Sequence, residues 1–186
     1  MSIEIHHTKT PIKIWSGYLG VPNDYKDNLI NATNEQYKNA PSESSFYDVF
    51  NEKNGKVVAT GYKAWEEVPT YSKLIKAIEF TFNKWVENDN WWSNGGKTKY
   101  KVIEAWSGVY NENQTTNSHH HTPSPISFCY YIDAEAPYTP MVFDQSDLSI
   151  DAKTDLLICF PGFIWHSVPP CKNKRIFIAG NMIDIK

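Results

Sequence analysis

Four of the six histidines fall in the second half of the chain, and three of them are consecutive: His119, His120 and His121. Side chains on a β-strand alternate between its faces, so His119 and His121 project to one side and His120 to the other. Two imidazoles on one face can grip a single metal ion. A third ligand from a distant strand would complete one face of an octahedron and leave positions open for other molecules. The triplet by itself also fits a solvated polar loop. His166 is the candidate third ligand. It sits in Phe163-Ile164-Trp165-His166-Ser167-Val168, just past the Pro161-Gly162 turn. An ionisable group among apolar neighbours needs either a hydrogen-bonding partner or a metal. Arg175 follows nine residues later and opens an otherwise apolar run, Ile176-Phe177-Ile178-Ala179-Gly180. If that run pairs back against residues 165–168, its guanidinium shares a cavity with His166. A buried guanidinium needs an anion, and its planar fork suits a carboxylate. On an edge strand it would only face solvent.

The order of these residues resembles the Fe(II)/2-oxoglutarate-dependent oxygenases, whose pattern is HxD/E, a distal His and then Arg or Lys. The likeness is nearer to a small phage and marine-bacterial subgroup with an HxH…H…Arg pattern. The residues that carry it are Trp106, His119-His120-His121, Pro123, Ser127-Phe128-Cys129-Tyr130-Tyr131, Phe160-Pro161, His166, Val168, Arg175 and Asn181. They span residues 106–181. The resemblance implies a double-stranded β-helix, with Fe(II) on His119, His121 and His166. It implies 2-oxoglutarate as cosubstrate with its distal carboxylate on Arg175, and ascorbate as a stimulant. Oxidative decarboxylation to succinate and CO2 would then accompany hydroxylation of a C–H bond, with no catalytic residue beyond the metal centre.

Two positions depart from the superfamily pattern. His121 stands where an Asp or Glu is usual, so bound iron would lack an anionic protein ligand; Asp144 is a candidate carboxylate from elsewhere. Phe177 stands two residues after the arginine, where many relatives carry a Ser or Thr that helps hold the cosubstrate. Strand alternation continued from His121 turns Ser127, Cys129 and Tyr131 toward the cavity, and Phe128, Tyr130 and Ile132 away from it. Tyr131 is thereby a candidate partner for the 2-oxoglutarate carboxylate. Tyr110, on the preceding strand, is another. Asn181 shares the face of Arg175 and is a candidate supporting residue. For both tyrosines a core position with a satisfied hydroxyl is the plain alternative.

Elements of two kinds must position these groups. Residues 70–87 read as a helix, because Tyr71, Leu74, Ile75, Ile78, Phe82 and Trp85 recur at three- and four-residue steps. Residues 24–37 read as a surface helix. Ile12 and Ile14 suggest a short strand ending at Gly17. Stretches 41–45 and 51–55 are turn-rich. Beyond Gly96 the period changes, and strands are expected at 99–110, 126–132, 141–143, 156–160, 163–168 and 175–183. Helices first and strands after argue for a mainly β, α+β fold: a jelly-roll, cupin-like double-stranded β-helix with the N-terminal helices packed on one face. The chain reads as one domain over 1–186, with 1–98 as a supporting strand-and-helix region and 99–186 as the β-helix core. Segments 111–118 and 91–96 read as a polar lid.

Composition excludes several other functions. In 186 residues, 41% are hydrophobic and 15% aromatic, enough for a sizeable core and too many for a disordered chain. The formal net charge of −3 and a pI of about 6.1 offer no basic excess for a dedicated nucleic-acid binder. No run approaches the ~20 apolar residues of a membrane span. The opening MSIEIHHTKT is not a signal peptide. Three cysteines with no CxxC pair argue against a disulfide framework or zinc ribbon and for reduced thiols in a cytoplasmic protein. A small molecule or peptide is the expected substrate partner. Two other functions compete with the oxygenase. One is a three-histidine cupin-type dioxygenase that does not use 2-oxoglutarate, which would not need Arg175. The other is a non-catalytic jelly-roll module.

Overall fold

The computed structural model describes residues 4–7, 12–40 and 57–185. The turn-rich stretches 41–45 and 51–55 lie outside the described residues. The helices lie in the first half of the chain, α1 (Asn23–Asn39), α2 (Ala64–Glu67), α3 (Tyr71–Val86) and α4 (Asn90–Ser93). Two strands, β1 (Glu4–His7) and β2 (Lys13–Tyr18), precede them. From Lys99 onward the chain is strand and turn: β3 (Lys99–Tyr110), β4 (Thr116–His119), β5 (Ile126–Ala134), β6 (Pro140–Phe143), β7 (Ser149–Asp151), β8 (Leu156–Pro161), β9 (His166–Val168) and β10 (Arg175–Ile185).

These strands form two antiparallel sheets. The larger has the order β1-β2-β8-β5-β10-β3 and the smaller β4-β9-β6-β7. This is the jelly roll expected from the sequence, with helices on one face. Alternation along β5 builds both layers of the core. Phe128, Tyr130 and Ile132 join the layer between the large sheet and the helices, and Cys129 and Tyr131 join the layer between the sheets. The apolar stripe of α3 supplies the other half of the first layer. Leu74, Ile78 and Phe82 are fully buried there and Trp85 packs at its edge. Phe82 meets Trp15 of β2 and Tyr100 of β3 edge-on, at 5.4 and 5.1 Å between ring centroids.

Several local expectations are corrected. β2 runs through Gly17, which pairs with Leu157 of β8 instead of ending the strand. The strand expected over 163–168 begins only at His166. Its first residues form the turn, with Phe163 and Trp165 exposed. β10 pairs with β3 and β5 in the large sheet, not with residues 165–168. Segment 111–118 is tied to the body of the fold. Gln114 and Thr116 are buried, Thr116 opens β4, and Cys171 exchanges backbone hydrogen bonds with Asn113 and Gln114. Segment 91–96 belongs to the helical side. Asp89 caps α4 through the amides of Trp91 and Trp92, and Trp92 lies edge-on to Trp15. No described helix is long and apolar enough to cross a membrane.

Candidate metal centre

The smaller sheet brings two of the histidines together by register alone. β4 runs antiparallel to β9, and His119 is the direct partner of His166. His121 lies just past the end of β4. Its backbone N–H donates to the carbonyl of Gly162 at 2.6 Å, which anchors it to the turn that leads into β9. Gly162 must be glycine, because a Cβ there would stand 2.1 Å from the carbonyl oxygen of Ser124. One ligand-capable atom each from His119, His121 and His166 lies within 4.8 Å of the other two. His120 lines the cavity but is not part of that group. It turns toward Trp165, at 4.7 Å between centroids, and its Nδ1 accepts from the Thr122 amide.

The outer hydrogen bonds settle which nitrogens face inward. His119 Nδ1 lies 2.9 Å from the carbonyl of Asn117, and His166 Nδ1 lies 3.1 Å from the carbonyl of Ile164. A carbonyl only accepts, so each Nδ1 carries the proton and each Nε2 keeps a lone pair. Burial lowers the pKa of all three rings. It holds His166 well below the ordinary value and takes His121 down to about 3, in each case with further lowering from the neighbouring histidines. Neutral imidazoles are the form that binds metal. Asp144 does not join the cluster. Its carboxylate accepts from Ser118 on β4 and Ser167 on β9, and it lies at the surface. Among the described residues, no carboxylate completes the three-histidine group.

A cavity of about 540 Å³ opens onto these histidines and reaches Arg175, Tyr110, Tyr131 and Asn181. Arg175 therefore shares the cavity with His166, though from the opposing sheet. It is 3% exposed. Its Nη1 donates to the carbonyl of Thr139 at 2.8 Å, while its Nε has no partner. The rings of Tyr110 and Tyr131 flank the guanidinium at 4.4 and 5.3 Å. Burial pushes the Tyr110 hydroxyl up to about 12 and the Tyr131 hydroxyl well above its ordinary range, with Arg175 opposing both. Burial likewise raises the Cys129 thiol to about 12. These groups are neutral near pH 7, so none of them balances the arginine charge. No described carboxylate forms an ion pair with it.

The two tyrosines differ in what remains open. The Tyr110 hydroxyl is hydrogen-bonded to Thr116, whereas the buried Tyr131 hydroxyl has no oxygen or nitrogen partner and lies beside the Cys129 thiol. Phe177 packs against Tyr110 at 5.2 Å and contributes no polar atom. Asn181 is engaged at both ends of its amide. Its Oδ1 accepts from Ser127 at 2.8 Å and its Nδ2 donates to Glu104 at 2.9 Å. Glu104 and Tyr62, which also line the cavity, were not foreseen from the sequence.

Two antiparallel sheets with helices on the outer face are the jelly-roll fold also seen in solved prolyl hydroxylases. Solved structures with this architecture cover nearly the whole chain. A prolyl-4-hydroxylase from Pseudomonas putida superposes with a TM-score of 0.66 at 11% identity, covering 91% of each chain. The viral collagen prolyl hydroxylase of Paramecium bursaria chlorella virus-1, in its 2-oxoglutarate complex, gives 0.62 at 12% identity, covering 93% of this chain and 96% of that one. A prolyl hydroxylase from Trichoplax adhaerens, in complex with a hypoxia inducible factor peptide fragment, gives 0.63 at 12% identity, covering 92% and 83%. No protein-family profile and no curated protein sequence matches the chain.

Proposed function

We propose that this chain is a non-haem Fe(II)- and 2-oxoglutarate-dependent dioxygenase that hydroxylates a small molecule or a peptide. His119, His121 and His166 would hold the iron, His119 and His166 through the Nε2 that their carbonyl-bonded Nδ1 leaves open. The observation that carries the cosubstrate is Arg175, a buried guanidinium facing the cavity with no anion beside it. A buried, unpaired charge is costly, and a dicarboxylate ligand supplies the missing partner. The Tyr131 hydroxyl, which has no oxygen or nitrogen partner, supports the same reading, as a donor to that carboxylate in place of the hydroxyl absent at Phe177. Tyr110 forms the aromatic wall under the guanidinium, and Asn181, on the same strand as Arg175, ties Ser127 to Glu104.

With iron and 2-oxoglutarate bound, the centre would couple decarboxylation of the 2-oxo acid to hydroxylation of a C–H bond. The protein's part is placement. The apolar layer of Met141, Phe160, Val168 and Phe177 excludes water from the cavity floor. Ascorbate stimulation and membership of the phage-like subgroup belong to the same proposal. A cytoplasmic location is supported by Cys129, Cys159 and Cys171, which are all buried and unpaired.

The test is conversion of 2-oxoglutarate to succinate by purified protein with Fe(II) under air, with and without ascorbate. Succinate should form in the parent and be lost in His166→Ala. Oxygen uptake without any 2-oxoglutarate requirement would contradict the proposal and favour the three-histidine dioxygenase.

A further inference from the structure

The mouth of the cavity carries a carboxylate that the proposed chemistry does not use. Glu104 reaches it through an irregularity in the large sheet. On β3, Tyr100 and Val102 face the helices, as do Ala105 and Val109, so the alternation changes phase between Val102 and Ala105. The pairing of β10 with β3 shows the cause: Asn181 opposes Glu104 and Met182 opposes Val102, leaving Ile103 extra. This β-bulge re-aims Glu104 onto the cavity side with Trp106. The strand opposite accommodates it with Gly180, where a Cβ would stand 2.2 Å from the Glu104 carbonyl oxygen.

The carboxylate is also held in place. Ser127 donates to Asn181, and Asn181 donates to Glu104; both Ser127 and Asn181 are buried. Beside Glu104, Tyr62 and Trp106 stand at right angles, 5.6 Å between centroids with an 86° interplanar angle. Trp106 in turn lies 5.7 Å from His121, so this corner adjoins the histidine cluster. Among the described residues, no Lys, Arg or His forms an ion pair with Glu104. A positioned carboxylate with an aromatic pair beside it is a receptor for a cation: the carboxylate supplies a full charge and an aromatic ring beside it adds to the attraction.

We infer that Glu104, Tyr62 and Trp106 form the substrate-recognition corner of this site, and that the substrate carries an ammonium or guanidinium group. The inference rests on the cavity being the proposed oxygenase's substrate site. Asn181 is then a positioning residue for Glu104.

Ligand-observed NMR titrations test this, with Nα-acetyl-lysine amide and Nα-acetyl-arginine amide against the uncharged Nα-acetyl-norleucine amide, which keeps lysine's four side-chain carbons and lacks its ammonium. Free lysine and arginine form a second arm, which tells a small metabolite from a chain-borne side chain. The cationic probes should bind at least about tenfold more tightly than norleucine. Glu104→Gln keeps an oxygen for Asn181 and should remove that preference. Tyr62→Leu, at a half-exposed position, should weaken the cationic probes several-fold. Equal binding of lysine and norleucine, or an unaltered preference in Glu104→Gln, would overturn the inference. Each titration is run with and without metal and 2-oxoglutarate. A protein that discriminates lysine from norleucine yet binds neither metal nor 2-oxoglutarate would refute the oxygenase and leave the cation corner standing.

Discussion

His119 and His166 share one device: each ring donates its Nδ1 proton to the carbonyl two residues before it, which turns Nε2 inward. The centre is thus prepared without an anionic ligand, and its affinity should depend on all three rings. His166→Ala is expected to abolish stoichiometric binding of a divalent ion, whereas His120→Ala should keep most of it, as read by metal analysis after dialysis. Equal losses from His120→Ala and His121→Ala would mean that the strand phase at the triplet is wrong. Alternation predicts His119 and His121 on one side, but β4 ends at His119, and it is the turn at Gly162 that anchors His121 beside it. Glu104 was not legible. Its direction depends on a bulge, and an extra residue in one strand leaves no mark in a hydrophobic pattern whose two faces are both buried.

Among the elements, the long ones were readable and the short ones were not. α3 carries four turns of a stripe, and β3, β5 and β10 are long enough to show their period. β4, β7 and β9 have only three or four residues each, too few to show one. The pairing of β10 was misread because residues 165–168 are near it in sequence. The large sheet instead gives β10 two long neighbours with extended registers. Arg175 still meets His166, since the two sheets face each other across the cavity. The packing of α3 has a direct test. Phe82 is fully buried against Trp15 and Tyr100, so Phe82→Ala should cost about 3–5 kcal/mol of stability. Phe80, on the outer face of the same helix and 63% exposed, should change stability by no more than about 0.5 kcal/mol when replaced by Ala. Urea denaturation of both variants distinguishes them, and similar losses would mean that α3 is not docked as described.

For the whole molecule, the N-terminal region and the β-helix share one core. β2 hydrogen-bonds β8 along the large sheet, and α3 seals the outer layer. A fragment of residues 99–186 should therefore fail to give a cooperative thermal transition, while the full chain should melt as one unit by both far-ultraviolet circular dichroism and tryptophan fluorescence. An independently folding fragment would contradict the single-domain reading. The central claim is that the two ends of the cavity, three histidines and an uncompensated arginine, bind one metal and one 2-oxoglutarate together. Anaerobic titration of 2-oxoglutarate into the Fe(II)-loaded protein, followed by the visible metal-to-ligand charge-transfer band, measures that directly. The parent should saturate at one equivalent. Arg175→Ala should weaken 2-oxoglutarate by at least about tenfold, since a charge-assisted hydrogen bond is worth about 1.5–3 kcal/mol and each ~1.4 kcal/mol is tenfold. Arg175→Lys should recover only part of the affinity, and both variants should keep their metal. A parent that binds Fe(II) but shows no band, or an Arg175→Ala variant that binds as tightly as the parent, would contradict the account.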